Sequence, residues 1–219
     1  MFTGIIEEVG KLTKKIKLAS GLQLSIEANS LVSEMKLGDS IAINGSCSTV
    51  TKFSGNVFTV QLSEETLKKT TFSDIRDGAS VNLELSLMPQ SRLGGHFVTG
   101  HVDCVAKIKK IGISKDWAVI TINYPKNFAY LLVEKGSVTI EGISLTVVDL
   151  TDSEFSCHVI PHTLSNTTLL SKKAGSAINL EFDVLGKYLH RFYTTPTSDN
   201  KEAGNLKNSL YKAGFIKWI

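Results

Sequence analysis

Six side chains are of types that move protons or place charge against a bound reactant: Cys47, His101, Lys135, Ser144, Thr146 and Asp183. A histidine with an ordinary pKa of about 6.5 suits a base or a proton shuttle, and His101 stands beside Gly100. Cys47 offers a polar or nucleophilic sulfur. Lys135, just before Gly136, can orient a reactant or stabilise negative charge on it, and Asp183 can orient a base or bind hydroxyls. Each has an ordinary alternative: a small buried hydrophobe for Cys47, a structural imidazole for His101, a lysine favoured by a helix end for Lys135, a solvated strand-end carboxylate for Asp183. No residue stands out as the sole base. His96, after Gly94-Gly95, reads as shaping a linker, and Cys104 and Cys157 read as core.

These residues sit in a duplicated framework. Thr66-Leu67-Lys68-Lys69-Thr70-Thr71 recurs as Thr163-Leu164-Ser165-Asn166-Thr167-Thr168, an offset of 97. At that offset Gly78 to Glu84 matches Gly175 to Glu181, Ser40 to Gly45 matches Ser137 to Gly142, and Thr49-Val50 matches Thr146-Val147. Near the start Thr3-Gly4 matches Thr99-Gly100, and Val9 to Leu12 matches Val105 to Ile108, at an offset of 96. Collinear matches of this extent indicate two copies of one domain, with a boundary near Leu93-Gly94-Gly95-His96. The predicted domains are 1–95, 96–184 and a tail, 185–219. His101 lies in a segment whose first copy has no histidine, and Cys47 faces Ser144 across the repeat, so the copies diverge at positions suited to a ligand.

Each copy reads as mostly β. Ala177 to Asp183 alternates apolar and polar residues, as do Val81, Leu83, Leu85 and Leu87, the pattern of a half-buried strand. Phe155, Cys157 and Val159 mark another. Ser54-Gly55-Asn56 and Thr151-Asp152-Ser153 supply turns. A short helix is predicted over Pro125 to Lys135, with Gly136 free to take the left-handed conformation after it; its counterpart runs from Ser30 to Leu37, stopped by Gly38. Short strands at close spacing suggest one compact Greek-key barrel per copy, which also removes sheet edges. In the tail, Val184, Leu185, Tyr188, Leu189 and Phe192 fall at helical spacing, a polar linker containing Pro196 follows, and Leu206, Leu210, Tyr211 and Phe215 suggest a second short helix. The first helix either packs on its own barrel or drives oligomerisation.

The 219 residues carry a net charge of only +3 with scattered lysines, which argues against a nucleic-acid surface. The first residues lack the pattern of a signal peptide, and apolar runs such as Phe128 to Val133 are too short to span a bilayer. Three cysteines without metal-ligand spacing fit a reducing, cytoplasmic setting, and no metal is expected.

The motifs resemble those of the riboflavin synthases of the trimeric α-chain type. They are Met1-Phe2-Thr3-Gly4-Ile5, Asn44-Gly45-Ser46-Cys47-Ser48-Thr49-Val50, Gly94-Gly95-His96, Thr99-Gly100-His101-Val102, Glu141 to Val147, and Ile160-Pro161-His162-Thr163-Leu164. The resemblance runs in order through residues 1 to about 190. It implies an all-β fold of two tandem, similar six-stranded barrels followed by a C-terminal α-helix that builds a homotrimer. It implies dismutation of two 6,7-dimethyl-8-ribityllumazine molecules, by four-carbon transfer, to riboflavin and 5-amino-6-(D-ribitylamino)uracil, the last step of riboflavin biosynthesis. Neither metal nor redox cofactor is implied, and association with lumazine synthase is a further expectation. The productive site would lie between the amino-terminal barrel of one subunit and the carboxy-terminal barrel of its neighbour.

Carried over by motif, the first site takes Gly4, Ile5, Ile6, Cys47, Ser48, Thr49 and the segment Gln61, Leu62, Ser63, Glu64, Glu65, Thr66. The second takes Gly100, His101, Val102, Lys135, Ser144, Leu145, Thr146 and the segment Ile160, Pro161, His162, Thr163, Leu164, Ser165. Hydroxyl side chains and backbone amides suit the acceptors and donors of a pteridine-like ring and the ribityl hydroxyls. The C7 methyl of the lumazine is acidic because its anion delocalises into the ring, and His101 is the natural candidate base. The implied division of labour gives Cys47 to the first barrel and His101, Ser144, Thr146 and Asp183 to the second. Ser46 and Ser48 depart from the apolar residues usual beside this cysteine. The rival is a non-catalytic lumazine- or flavin-binding antenna protein, which commonly loses ligand-facing residues in one copy; here both sets are present.

Overall fold

The computed structural model describes residues 1–113 and 117–195. Twelve antiparallel strands close into two barrels. The first contains β1 (Glu8–Leu18), β2 (Gly21–Glu27), β3 (Ser40–Ile43), β4 (Ser46–Ser54), β5 (Val57–Ser63) and β6 (Ser80–Leu85), in the order β1-β2-β5-β4-β3-β6. The second contains β7 (Cys104–Ile113), β8 (Ala118–Asn123), β9 (Ser137–Ile140), β10 (Ile143–Leu150), β11 (Glu154–Val159) and β12 (Ala177–Phe182), in the order β10-β11-β8-β7-β12-β9. Short helices α1 (Glu64–Lys69) and α2 (Pro161–Ser165) follow β5 and β11, and α3 (Val184–Thr194) follows β12. Both barrels belong to one compact unit, Met1–Lys187. No helix among the described residues is long and apolar enough to cross a membrane.

Each barrel has its own core. Leu12, Leu24, Ile26, Phe58, Phe72 and Leu83 fill the first, and Ile108, Ile120, Phe155, Cys157, Leu180 and Phe182 the second. Burial holds the thiols of Cys104 and Cys157 up at about 12, which leaves them unreactive packing groups.

The polar positions of β6 and β12 depart from the predicted solvated face. Asn82, Glu84, Asn179 and Glu181 are all buried, because this face meets the sister barrel rather than water. At that seam two hairpin turns touch. Asn44-Gly45 and Glu141-Gly142 each have positive φ at both residues, the I′ geometry that matches strand twist. A Cβ on Gly142 would lie 2.7 Å from the Gly45 nitrogen, so the two turns fit only as glycines. Asn82 Nδ2 donates to the Glu141 carbonyl (2.9 Å) and Asn179 Nδ2 to the Asn44 carbonyl (2.9 Å). Their Oδ1 atoms accept from the amides of Thr168 and Thr71, both at 2.8 Å. The same two bonds are thus made twice across the seam, four in all.

The predicted helix over Pro125 to Lys135 is a 3-10 segment, Lys126–Leu131, ended by extended Leu132, and its counterpart shrinks to Leu31–Ser33. One buried leucine, Leu31 or Leu131, anchors each segment, and one 3-10 turn in the first copy and two in the second suffice to place it. The left-handed residue is Lys135 (φ 64°) rather than Gly136, matching Gly38 (φ 90°) of the first copy. The second tail helix expected around Leu206 to Phe215 lies outside the described residues.

Candidate functional site

Chain order assigns the amino-terminal Gly-Ile-Ile to the first barrel and Gly-His-Val to the second; the fold exchanges them. The Ser144 amide on β10 donates to the Gly4 carbonyl (2.8 Å), and the Cys47 amide on β4 donates to the Gly100 carbonyl (2.8 Å). Both glycines have φ +78°, and a Cβ on either would come within 2.6 Å of Ser144 or Cys47. Ile6 packs against the core of the second barrel. Phe2 and Val98 pair where the two segments cross. The expected grouping of His101 with Ser144 is therefore corrected: His101 belongs with Cys47, and Gly4, Ile5 and Ile6 belong with Ser144.

Two buried carboxylates hold the exchanged segments. Glu84 accepts from the Thr3 amide (2.6 Å), Thr3 Oγ1 (2.7 Å) and the Gly4 amide (3.0 Å). Glu181 repeats this with the Thr99 amide (2.8 Å), Thr99 Oγ1 (2.6 Å) and the Gly100 amide (3.0 Å). Desolvation wins over these bonds, so both carboxyls titrate above their ordinary 4.5. Residue-by-residue reading missed both. Their signal lay in the repeat, since Asn-Leu-Glu stands at 82–84 and again at 179–181.

The first cluster comprises Cys47, Ser48 and Thr49 on β4, Gly100, His101 and Val102, and Gln61 to Thr66 on the neighbouring β5 and α1. Thr49 and His101 are exposed and Cys47 is half-buried. Ser63 caps α1 by accepting from the Thr66 amide; Leu62 turns into the core. Ser48 is buried too, and its hydroxyl has no partner among the described residues. Its side chain does not share the outward face of Cys47 and Thr49.

The second cluster comprises Ser144, Leu145 and Thr146 on β10, Gly4, Ile5 and Ile6, Lys135, and Ile160 to Ser165 at the end of β11 and in α2. Lys135 is tied to β10 by its amide, which donates to the Val147 carbonyl (2.8 Å). Leu145 points into the core, whereas Thr146, Lys135, Ile5, Ile160, Pro161, His162 and Ser165 are exposed. Asp183 caps α3, with Oδ1 accepting from the Leu185 amide (2.9 Å).

His96 is no linker spacer. It is buried, with Nδ1 2.7 Å from Ser144 Oγ and Nε2 3.2 Å from Thr139 Oγ1. Burial lowers its pKa, opposed by the charge of Asp183. A cavity of about 260 Å³ beside the amino-terminal segment is lined by Thr3, Ile5, Glu84 and Arg92. Larger cavities of about 640 and 510 Å³ contain none of the predicted site residues.

Against known proteins, the lumazine binding domain family matches the chain twice, over residues 3–86 and 99–183. The riboflavin synthase of Actinobacillus pleuropneumoniae is 43% identical over 217 residues, 98% of this chain and 100% of that protein. That of Bacillus subtilis (strain 168) is 40% identical over 215 residues, again 98% and 100%. Among solved structures, LumP complexed with riboflavin superposes with a TM-score of 0.78 at 25% identity, covering 83% of this chain and 99% of that one. Two matched domains, two barrels and near full-length identity with these enzymes agree: the chain belongs to the riboflavin synthase family of lumazine-binding double barrels.

Proposed function

We infer that the chain converts two molecules of 6,7-dimethyl-8-ribityllumazine into riboflavin and 5-amino-6-(D-ribitylamino)uracil. The observation that carries this reading is the twofold construction of one binding cluster, with the Gly4–Ser144 and Gly100–Cys47 bonds as its matched centres. A reaction whose reactants are identical calls for such a pair. One lumazine gives up a four-carbon unit and leaves as the pyrimidinedione; the other accepts it and becomes the tricyclic flavin. No net oxidation occurs, so neither metal nor redox cofactor enters the proposal.

In this reading the Cys47–Thr49 cluster holds one heterocycle, with His101 placed to remove or return a proton. The Ser144–Thr146 cluster holds the other, with Lys135 placed to stabilise negative charge and Asp183 acting on the imidazole of His96. Holding two reactive rings in contact supplies much of the acceleration, since orientation of this kind is worth about 7–11 kcal/mol. Within one chain Thr49, His101, Thr146 and Ile160 stay exposed, which supports a site completed by the barrel of a neighbouring subunit. Leu185, Tyr188, Leu189 and Phe192 of α3 are large, apolar and exposed, and they would build the homotrimer. Cytoplasmic residence and association with lumazine synthase belong to the same proposal.

The test is incubation of purified protein with the lumazine alone. Riboflavin should appear at one equivalent per two lumazines consumed, without added metal or cofactor. Persistent lumazine fluorescence with one bound ligand and no yellow product would favour the antenna reading. Mass in solution tests the trimer, and a clean monomer would count against a shared site.

A further inference from the structure

We propose that His96 is a positioning residue that turns the Ser144 hydroxyl into a hydrogen-bond donor for the ligand of the second barrel. The proposal rests on the reading of that cluster as a ribityllumazine site. Its basis is an inventory of protons. Burial keeps the imidazole neutral, so one ring nitrogen carries hydrogen and the other accepts. Thr139 on β9 is almost fully buried, and among the described residues its Oγ1 has no hydrogen-bond partner other than His96 Nε2, at 3.2 Å. A buried hydroxyl proton left without an acceptor is costly. Thr139 therefore donates to Nε2, which places the ring hydrogen on Nδ1. Nδ1–H then donates to Ser144 Oγ across 2.7 Å. With a lone pair so engaged, the serine hydrogen must point elsewhere, and the open side of Ser144 is the ligand side.

The backbone is built for this contact. Gly95 passes so close that a Cβ there would lie 2.8 Å from Ser144 Oγ and 2.1 Å from the Thr3 carbonyl. The His96 amide donates to that same carbonyl (3.1 Å), which locks the linker over β10. Cys47, at the matching place in the first barrel, has no imidazole hydrogen-bonded to its side chain among the described residues. The two clusters thus differ in chemistry: the second presents a fixed donor to a ring carbonyl or nitrogen, where negative charge develops as the heterocycle reacts.

The experiment measures riboflavin formation from 6,7-dimethyl-8-ribityllumazine by wild type, Ser144→Ala, His96→Leu, His96→Asn, His96→Gln and the Ser144→Ala/His96→Leu double variant. Loss of one donor of ordinary strength predicts a fall of about tenfold in kcat for His96→Leu. His96→Asn sets an amide nitrogen near the place of Nδ1 and should recover most of that loss; His96→Gln, whose amide lies near Nε2, should not. In the Ser144→Ala background, His96→Leu should cost less than about twofold, since its target is gone. An equal loss in both backgrounds, or equal rates for the Asn and Gln variants, would assign His96 a merely structural part and overturn the proposal. Wild-type protein that makes no riboflavin overturns the functional reading itself, a different outcome from an active wild type without coupling.

Discussion

Replacing Asn82 by leucine tests whether the barrels hold together through the seam. The side chain is fully buried, donates to the Glu141 carbonyl and accepts from the Thr168 amide, both in the sister barrel. Leucine has similar bulk and no polar atom, so both main-chain groups are left buried and unpaired. Each costs about 1–3 kcal/mol, which gives about 2–6 kcal/mol in all. For a chain of this size that corresponds to a melting temperature lower by roughly 4–24 °C. Asn179→Leu should match it, since Asn179 makes the mirror bonds to Asn44 and Thr71. The double variant should lose well short of the sum, because the first substitution already loosens the contact that the second would break. Urea unfolding followed by fluorescence supplies the values. A loss below about 1 kcal/mol in either single variant, or full additivity in the double, would refute the seam as the shared support.

Lys135→Gly relieves a left-handed backbone at a residue with a Cβ; stability should rise by up to about 1 kcal/mol while riboflavin formation falls, checked by paired calorimetry and turnover. Gly100→Ala forces a Cβ to 2.6 Å from that of Cys47 at φ +78°. It should cost about 2–4 kcal/mol in urea unfolding and depress turnover by displacing His101. The raised pKa of Glu181 fixes the sign of a pH effect. Its contribution is full below the unfolded value near 4.5 and is lost as pH rises through the higher folded value. Wild type should therefore lose stability relative to Glu181→Gln between mildly acidic and neutral pH, and melting temperatures that run parallel across that range would contradict the buried carboxylate.

Strand positions and the duplication were legible because apolar periodicity and turn residues act locally; Phe155, Cys157 and Val159 all line the second core. What escaped was the content of the polar positions. Asn82 and Glu84 alternate with Val81 and Leu83 as solvent-facing residues would, and no local pattern distinguishes water from a second barrel. The exchange of Gly4 and Gly100 escaped for a related reason: chain order says which copy a segment precedes, and only tertiary packing decides which copy it touches. His96 is the sharpest case, for a histidine after two glycines looks like a linker until the linker is seen lying on β10. The left-handed residue expected at Gly136 falls one position earlier, on Lys135, because residue type favours glycine there while the turn geometry is set by the packing around it.

The traded segments also bear on how such a chain arises and persists. Because each half supplies the segment that lies on its sibling's β10 or β4, a fragment encoding either half alone would leave that strand uncovered, and its own segment would be left with nothing to cover. The paired positions at the centres of the two clusters are free to differ, as Cys47 and Ser144 do. Separation of the halves is not equally free: either one alone would need a second copy with which to trade its segment.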